Sequence, residues 1–349
     1  MKPRVLLLCG GQSGEHQVSL RSGLSVIREL PKDKYDLVAV AIDKQGRWWT
    51  GSPLVQNPDN PETIAIAPGL TQVRLEGDQL LGQKVDCVFS VLHGTYGEDG
   101  AMQGFLEMSQ VAFVGPGVLG SAVAMDKEMT KRLLLFEGLK TAPYLVIRDT
   151  EKNRPTFAQA VQKLGPVLFV KPSAQGSSLG ISKVKTEAQY HKALDFAFSY
   201  DRKILVEKGI EGREIELSVL GNDQLTVSLP GEIKPAEEFY SYEAKYILDN
   251  TTLVVPVPLP GKLVARLQEA AARVFRCLEL KGMARVDFFV DAQEEIWVNE
   301  PNTLPGFTSI SMYPKLMQTV GISYPELLDR LIKLGLEDAA KRAKLSRER

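Results

Sequence analysis

The 349-residue chain is poor in cysteine and histidine and contains no long apolar run. Its three cysteines, Cys9, Cys87 and Cys277, form neither a CxxC pair nor a cluster with histidine, which argues against a zinc site. An odd, sparse set of thiols fits a reducing compartment better than a disulfide framework. No apolar stretch approaches the length of a membrane span, and the first eight residues are too short for a secretion signal. We therefore expect a soluble, cytoplasmic protein with no membrane partner.

An excess of charge of either sign is also absent. The 42 lysines and arginines nearly balance the 43 aspartates and glutamates, and the formal net charge is −1. This balance argues against a nucleic-acid partner, because a broad nucleic-acid footprint needs concentrated positive charge. It still allows a local basic pocket. The chain is long enough for two or three domains with a large core.

Two predicted strands in the last third of the chain carry acidic side chains. Residues 284–290 and 295–300 are rich in β-branched and aromatic side chains and flank a turn. Strict alternation places Asp287 on the face of the first strand that points away from Val286 and Phe288. In the second strand it places Glu300 on the same face as Val298. We expect the acidic side chains of the two strands to converge on one side of a hairpin.

Asp287, Glu300 and Asn302 together form a candidate metal site. Two carboxylates and an amide oxygen are ligands that Mg²⁺ prefers, with substrate phosphates and water completing its coordination. The alternative is a hairpin whose acids are merely solvated. A substrate site is favoured because a stretch containing proline and glycine, residues 300–308, follows at once and suits a shaped loop.

A second candidate site is the glycine-rich loop, residues 171–180, which follows the short apolar strand 167–170. Lys171 at the strand end can reach a phosphate as a compact charge. The glycines allow close backbone approach, and hydroxyls such as that of Ser177 donate to oxyanions. It is not a Walker A loop, since Gly-Lys-Ser/Thr is missing at the required spacing. Alone it would be an ordinary turn, but with the hairpin it indicates chemistry driven by a nucleotide triphosphate.

Four further positions are candidates that also have a structural interpretation. Glu15 follows a Gly-Gly pair between a predicted strand and helix, where either a charged substrate or helix capping would account for it. His93 follows a predicted strand at its carboxyl end, where open α/β sheets place their sites, although a lone histidine is more often structural. Lys127 and Lys131 lie one helical turn apart and share a face, which by itself predicts a solvated basic surface.

The order of predicted elements divides the chain into three units. Strands and helices alternate over residues 1–124, which indicates an α/β domain with a parallel sheet. Residues 125–215 hold the glycine-rich loop, and residues 216–349 hold the hairpin, an amphipathic helix and a final helix. The proline-rich stretch 53–68 is predicted as a loose surface insertion, and residues 339–349 as a frayed, charged tail.

Together these segments resemble the ATP-grasp superfamily, and the remaining motifs resemble the D-alanine–D-alanine ligases within it. The resemblance extends from about residue 5 to about residue 334, with the motifs in the family's order. The motifs are Leu8-Cys-Gly-Gly-Gln-Ser-Gly-Glu15, Leu92-His-Gly-Thr-Tyr-Gly-Glu-Asp-Gly100, Met125-Asp-Lys127, the glycine-rich loop, Tyr240-Ser-Tyr-Glu-Ala-Lys-Tyr246, Gly282-Met-Ala-Arg-Val-Asp287 and Asn299-Glu-Pro-Asn-Thr-Leu-Pro-Gly-Phe-Thr308. Each motif alone is moderately specific, but all of them in order are highly specific.

The resemblance implies a three-domain ATP-grasp architecture of the α/β (α+β) class with an N-terminal parallel-sheet domain. It implies ATP-dependent joining of two D-alanines to D-alanyl-D-alanine through an acyl phosphate, for peptidoglycan precursor synthesis. ATP would be the co-substrate, with two Mg²⁺ or Mn²⁺ ions. The family expectation for assembly is a homodimer.

The resemblance also carries the family's site roles onto matching positions of this chain. It assigns catalytic roles to Glu15, Ser177, Tyr246, Arg285 and the backbone N–H of Gly306. It assigns D-alanine binding to His93, Glu98 and Ser311, and metal binding to Asp287, Glu300 and Asn302. It assigns ATP binding to Lys127, Lys171, Glu207, Lys208, Ile210, Glu214, Lys245 and Phe289.

Two alternative functions stay open. The nearer one is another ATP-grasp carboxylate–amine ligase, such as one that makes D-alanyl-D-serine. The other is a non-catalytic nucleotide-binding protein, although the metal ligands and phosphate lysines are all present in the sequence. By resemblance, ligases that make D-alanyl-D-lactate lack the tyrosine of a Glu-Ala-Lys-Tyr run, so Tyr246 predicts an amine as the second nucleophile.

Overall fold

The described part of the chain folds around three larger β-sheets that are covered by helices. The computed structural model describes residues 2–51, 56–57, 60–66, 69–234, 252–308 and 310–346. The described helices are α1 (His16–Glu29), α2 (Ala101–Met108), α3 (Val118–Met125), α4 (Lys127–Phe136), α5 (Phe157–Leu164), α6 (Glu187–Phe198), α7 (Gly261–Cys277), α8 (Met312–Gln318) and α9 (Tyr324–Ala343). The described strands are β1 (Arg4–Gly10), β2 (Asp36–Ile42), β3 (Trp48–Thr50), β4 (Gln56–Asn57), β5 (Asn60–Ile64), β6 (Thr71–Val73), β7 (Leu75–Glu76), β8 (Gln79–Leu80), β9 (Gln83–Lys84), β10 (Cys87–Ser90), β11 (Ala112–Phe113), β12 (Tyr144–Arg148), β13 (Leu168–Pro172), β14 (Ser182–Val184), β15 (Lys203–Lys208), β16 (Arg213–Gly221), β17 (Leu225–Val227), β18 (Gly231–Lys234), β19 (Thr252–Val254), β20 (Gly282–Val290) and β21 (Ile296–Asn302).

The first sheet has the strand order β11-β10-β1-β2-β3-β6. Strands β11, β10, β1 and β2 run parallel, which confirms the predicted parallel sheet for these four. Strand β1 is apolar and buried along nearly its whole length, as parallel strands between helices usually are. The chain then turns at Asp43, whose carboxylate accepts N–H bonds from Gln45 and Arg47, so that β3 and β6 extend the edge antiparallel.

The second sheet, β12-β15-β13-β14, is antiparallel throughout. Helices α5 and α6 contribute apolar side chains to its core. Strand β13 ends at Pro172, so the glycine-rich loop leaves the sheet there and returns to it as β14. The sheet therefore fixes the base of the loop at Lys171, which is buried.

The third sheet has the order β19-β18-β16-β20-β21, with β17 beside β16. Helix α7 covers one of its faces with apolar side chains, as the helical spacing of the sequence predicts. The buried positions of this helix include Leu263, Leu267, Ala270, Ala271 and Val274. Val286 and Phe288 of β20 lie in the same core, so the alternate side chains of that strand face the other way.

Helix α9 brings the end of the chain back to the first sheet. Leu328 and Leu331 of this helix lie in one core with Val5 and Leu7 of β1. Packing between the first and last parts of the chain thus fixes the sheet ends that carry the candidate site. The division of the chain at residues 124 and 215 remains our proposal.

The expectation of a loose insertion over residues 53–68 is wrong for its middle part. Residues 60–64 form strand β5, and Ile64 is buried in the core beside Gly23 of helix α1. An apolar side chain next to a glycine can pack closely against the helix, which holds the strand in place. Residues 52–55, 58–59 and 67–68 lie outside the described residues.

The expectation of a frayed tail is also wrong in part, because α9 continues to Ala343. Lys341 and Arg342 in its last turn pair with Glu337 and Asp338, four residues earlier in the helix. Basic side chains at this end also complement the helix dipole. The last turn is therefore stabilised by charge.

The free state of all three cysteines agrees with the sequence expectation. Burial raises the pKa of Cys9 and of Cys87 to about 12, so both thiols are protonated and unreactive at neutral pH. Among the described helices, none is both long and apolar enough to cross a membrane.

Candidate active site

The predicted metal ligands meet where β20 and β21 pair. Asp287 lies directly opposite Glu300 in the antiparallel register, and the Asn302 Nδ2 donates to Asp287 Oδ2 at 2.9 Å. The expected convergence of the two carboxylates is therefore found. Strict alternation along β21, which the sequence analysis assumed, is not the reason. Val298 pairs with Phe288, and a bulge at Asn299 shifts the alternation of side chains between Val298 and Glu300. Val298 thus faces the core while Glu300 faces Asp287.

Arg285 lies beside this carboxylate pair and is held by two acids. Its Nε and Nη2 donate to the two Asp287 carboxylate oxygens at 2.8 and 2.7 Å. The Nε also lies 3.1 Å from Glu216 on the neighbouring strand β16. Burial opposes the charge, but Asp287 and Glu216 raise the pKa of Arg285 well above its ordinary value. The guanidinium is fixed in position and remains positively charged.

Three lysines converge on the same region from the second sheet and from α4. Lys171 and Lys131 both contact the Glu207 carboxylate, at 2.7 and 3.1 Å. Lys127 lies 3.7 Å from Glu300, which connects the lysines to the carboxylate pair. Positive groups facing paired carboxylates form a site that can hold phosphates together with a divalent cation.

The expectation of a solvated face for Lys131 is wrong. Its side chain is only 1% exposed because it lies under the second sheet against Glu207. Burial lowers the pKa of Lys131 to about 8, although the Glu207 charge opposes this shift. Burial alone would raise the pKa of Glu207, but Lys131 and Lys171 lower it below its ordinary value. Lys131 and Glu207 thus form a buried ion pair next to Lys171.

The glycine-rich loop folds over these lysines and is held at both ends. The Lys127 Nζ donates to the Gln175 carbonyl at 2.6 Å, and the Lys127 N–H donates to the Ser173 carbonyl at 2.9 Å. Ser177 and Ser178 adopt positive φ values of 50° and 59°, a conformation that non-glycine residues rarely adopt and that is concentrated at functional sites. This backbone turns the Ser177 hydroxyl toward Glu15, to which it donates a hydrogen bond.

Glu15 stands at the N-terminal end of α1, but its side chain makes no capping hydrogen bond. The helix-capping interpretation is therefore wrong. Its carboxylate instead receives the Ser177 hydroxyl, while its backbone N–H donates to Ser13 at 3.2 Å. Ser13 in turn donates to the His93 carbonyl at 2.6 Å. The loop after β1 is thus tied both to the glycine-rich loop and to the loop after β10.

The loop after β10 positions Glu98 beside Glu15. Glu98 accepts hydrogen bonds from the Gly94 N–H at 2.6 Å and the Leu304 N–H at 3.2 Å. Burial and the neighbouring Glu15 charge nevertheless raise the pKa of Glu98 to about 8. Two acids held together in this way create a site for a cationic group such as an ammonium.

The 302–311 loop, which begins at the last residue of β21 and is described except at residue 309, brings Gly306 close to Ser311. The Ser311 Oγ accepts from the Thr308 N–H at 3.0 Å and shares a 2.8 Å hydrogen bond with the Thr308 hydroxyl. A Cβ at Gly306 would lie 2.7 Å from that oxygen, so no side chain is tolerated there without displacing it. The predicted oxyanion donor and the predicted carboxylate ligand are therefore neighbours.

The residues predicted to contact the adenosine part of ATP lie on β15, β16 and β20 and in the connection between β15 and β16. Glu214 is opposite Phe289 in the strand register, and both are half-buried. Lys208 is exposed and Ile210 is half-buried. Lys245 and Tyr246 lie outside the described residues.

Four residues that hold the site together were assigned no site role from the sequence. Glu216 orients Arg285, and Lys131 contacts the same Glu207 carboxylate as Lys171. Lys203 binds the Asp126 carboxylate at the start of α4. The fourth is Ser22 of α1, which contacts His93. Only Lys131 carried a signal in the sequence, its one-turn spacing from Lys127. The others depend on register and packing that the sequence pattern does not show.

The donor set of Asp287, Glu300 and Asn302 fits a magnesium-type ion. Mg²⁺ is usually bound through one or two carboxylates and completes its octahedron with waters and phosphates. A site built from protein ligands alone would require a group of at least three His, Cys, Asp or Glu side chains. Within the described ranges no such group is found. The three-sheet fold and the lysines facing the carboxylate pair define an ATP-grasp enzyme.

Comparisons with known proteins give the family within this class. The model of the D-ala D-ala ligase N-terminus matches residues 4–116, and that of the D-ala D-ala ligase C-terminus matches residues 133–333. The D-alanine–D-alanine ligase of Sodalis glossinidius (strain morsitans) is 46% identical over 358 residues, covering 99% of this chain and 98% of the relative. The chain therefore belongs to the D-alanine–D-alanine ligase family.

Solved structures of similar proteins give the same result. The D-alanine-D-alanine ligase from Coxiella burnetii is 34% identical, with a TM-score of 0.85 and 98% of each chain covered. The VanG D-Ala:D-Ser ligase from Enterococcus faecalis is 32% identical, with a TM-score of 0.84, covering 96% of this chain and 100% of that one.

Proposed function

We propose that this protein joins two D-alanines into D-alanyl-D-alanine at the expense of ATP, for peptidoglycan precursor synthesis. The observation that carries the proposal is the hydrogen bond from Ser177 to Glu15. It connects a phosphate-binding loop to a pair of acids suited to an amino-acid ammonium. An enzyme that phosphorylates an amino-acid carboxylate needs these two sites side by side.

The first half-reaction is transfer of the γ-phosphoryl group to the carboxylate of the first D-alanine. Phosphoryl transfer depends mainly on positioning and on neutralising charge. Lys127 and Lys171 bind the phosphates, and Lys245 adds a further positive charge. Glu15 and Glu98 hold the ammonium, while His93 lines the same end of the site. Glu207, Lys208, Ile210, Glu214 and Phe289 form the adenosine end.

Asp287, Glu300 and Asn302 would hold one or two Mg²⁺ or Mn²⁺ ions. When bound, such ions would help to neutralise the negative charge of the phosphates. Arg285 remains beside the ion site because Glu216 and Asp287 both hold it.

The second half-reaction is attack of the second D-alanine amine on the acyl phosphate carbonyl. A new C–N bond forms, phosphate leaves with the electrons of the C–O bond, and the proton lost by the amine passes to the departing phosphate or to water. Arg285 and the Gly306 N–H stabilise the developing oxyanion, and donors of this kind each contribute about 3–4 kcal/mol. Ser311 binds the second carboxylate, and the Ser177–Glu15 contact helps to keep water from the acyl phosphate. The resemblance adds a catalytic role for Tyr246.

A second candidate, synthesis of D-alanyl-D-serine, is favoured only by the likeness to the VanG D-Ala:D-Ser ligase. A panel of second nucleophiles separates the two candidates. The purified enzyme is given ATP, Mg²⁺ and D-alanine, alone or with D-serine or D-lactate, and the products are identified by mass. We expect D-alanyl-D-alanine as the main product. Joining of D-serine in preference, or of D-lactate but not D-alanine, would contradict the proposal.

A homodimer is the proposed assembly. Apolar side chains are exposed on consecutive helices that contact one another: Met108 of α2 is 86% exposed, Leu119 of α3 is 63% exposed and Phe136 of α4 is 88% exposed. Apolar patches of this kind are typical of protein–protein contacts. Light scattering should give twice the 38.5 kDa mass of one chain. A mass of one chain at working concentration would contradict a dimer.

A further inference from the structure

Ser22 lies on the inner face of α1, fully buried, between two segments that the site uses. Its Oγ lies 3.1 Å from His93 Nε2 and accepts a hydrogen bond from the Phe307 N–H at 3.3 Å. Phe307 follows Gly306, the proposed oxyanion donor. One hydroxyl on α1 thus contacts both the loop after β10 and the 302–311 loop.

The hydrogen bonds determine which nitrogen of His93 carries the proton. Its Nδ1 lies 2.9 Å from the Leu304 carbonyl, which can only accept, so Nδ1 bears the hydrogen. The single hydroxyl hydrogen of Ser22 is free to donate because the Phe307 N–H uses one of its lone pairs. When the ring is neutral, this hydroxyl donates to Nε2, whose lone pair is then available.

The same bonds hold the backbone on both sides of Gly306. Leu304 is fixed by the His93 ring through its carbonyl and by Glu98 through its N–H. Phe307 is fixed by Ser22. Side chains of the loop after β10 thus hold the backbone N–H and carbonyl of Leu304, and a side chain of α1 holds the N–H of Phe307. Gly306 lies between these anchored residues.

We propose that Ser22 is a positioning residue, whose hydroxyl holds His93 as the neutral Nδ1–H tautomer and anchors the backbone around Gly306. His93 then acts on the reaction through the 302–311 loop, since both of its ring nitrogens are engaged. The inference rests on the proposed oxyanion role of the Gly306 N–H for its effect on rate. The proton on Nδ1 follows from the contact with the Leu304 carbonyl, and the neutral state of the ring agrees with its burial.

The electrostatic surroundings agree with a neutral ring. Burial lowers the pKa of His93 below its ordinary value, although the facing Glu15 carboxylate and the Leu304 carbonyl oppose this shift. Glu98, the other acid nearby, is predominantly protonated below pH about 8. His93 should therefore stay neutral where an ordinary histidine, with a pKa near 6.5, becomes charged.

Nitrogen-15 NMR of the intact enzyme tests the tautomer directly. The chain has three histidines, so the His93 ring signals can be assigned by comparison with a His93→Asn variant. We expect a neutral ring with the proton on Nδ1 at and below pH 6.5. A proton on Nε2, or titration with an ordinary pKa, would overturn the proposal. This measurement needs no activity, so its failure is distinct from failure of the proposed function.

Kinetics of Ser22→Ala test the positioning role, with Ser25→Ala on the same helix as the matched control. Ser25 donates only to the Arg21 carbonyl within α1. We expect kcat of Ser22→Ala to fall about 10- to 100-fold, as for a small misplacement of reacting groups. The KM for ATP should stay within about twofold, and the pKa of His93 should rise because Nε2 loses its donor. A kcat equal to that of Ser25→Ala, or a change in ATP KM alone, would overturn the proposal.

Discussion

The hydroxyl of Ser177 donates a hydrogen bond to the carboxylate of Glu15, a residue 162 positions earlier in the chain. Ser177 belongs to the glycine-rich loop of the second sheet, and Glu15 to the loop after the first strand. The contact therefore joins two units that fold around separate cores. The glycine-rich loop is thereby held against the loop after β1.

Removing either partner of this contact should reduce activity. A hydrogen bond to a charged group contributes about 1.5–3 kcal/mol, which corresponds to roughly 10- to 150-fold in rate. We expect Ser177→Ala and Glu15→Gln each to lower kcat/KM for D-alanine by at least this factor. The double variant should lose less than the product of the two effects, because both substitutions remove the same bond.

Ser199→Ala is the control for Ser177→Ala, since its hydroxyl donates to the Phe196 carbonyl on an exposed helix end. It should leave the kinetics unchanged. Strictly multiplicative losses in the double variant would show that Ser177 and Glu15 act independently, contrary to the structure.

The buried pair of Lys131 and Glu207 should be important for stability as well as for ATP binding. Lys131→Met leaves Glu207 with Lys171 alone, and loss of one partner of a buried pair typically costs about 3–5 kcal/mol. Denaturant unfolding should show a loss in this range. Lys192→Met, at an exposed position on α6, should change the free energy of unfolding by less than about 0.5 kcal/mol. Equal stability of the two variants would refute the burial argument.

A methyl group at Gly306 should disturb the second D-alanine site. It would contact the Ser311 hydroxyl, which two hydrogen bonds to Thr308 hold in place. We expect Gly306→Ala to lower kcat/KM for D-alanine by about 100-fold. Gly261→Ala is the matched control, since nothing lies within 4 Å of its added carbon. Unchanged kinetics of Gly306→Ala would mean that this loop does not shape the site.

Binding of D-alanine should release a proton from Glu98. This carboxyl has a pKa of about 8, so it is mostly protonated one pH unit below that value. An ammonium between Glu15 and Glu98 favours the charged form and lowers the pKa, which expels the proton. Release should therefore decline as the pH rises past about 8. Calorimetry in buffers of different ionisation enthalpy measures it, with Glu98→Gln as control. Binding without proton release near neutral pH would contradict the predicted role of Glu98.

Much of the fold was predictable because its signals are local. The apolar run of β1, the spacing of apolar residues in α7 and the alternation of β20 each depend on neighbouring residues. The convergence of residues 287, 300 and 302 was also predictable, although the bulge at Asn299 was not. A bulge depends on how two strands pair, and the strict alternation of one strand does not reveal it.

The supporting residues were not predictable from the sequence. Ser22 is an unremarkable serine within a helix, and its importance depends on the approach of Phe307, 285 residues later. Glu216 similarly becomes relevant only because β16 pairs with β20 and places it opposite Asp287. Side chains that orient other side chains carry no motif of their own, since any chain segment with the right packing can supply them.

The most direct test of the account is D-alanine-dependent ADP formation with Mg²⁺, measured for the wild type and for Asp287→Ala. Glu294→Gln, on the exposed turn of the same hairpin, is the control. The account predicts ADP formation that requires D-alanine in the wild type and in the control, and its loss in Asp287→Ala. ADP formation that is independent of D-alanine, or full activity of Asp287→Ala, would contradict it.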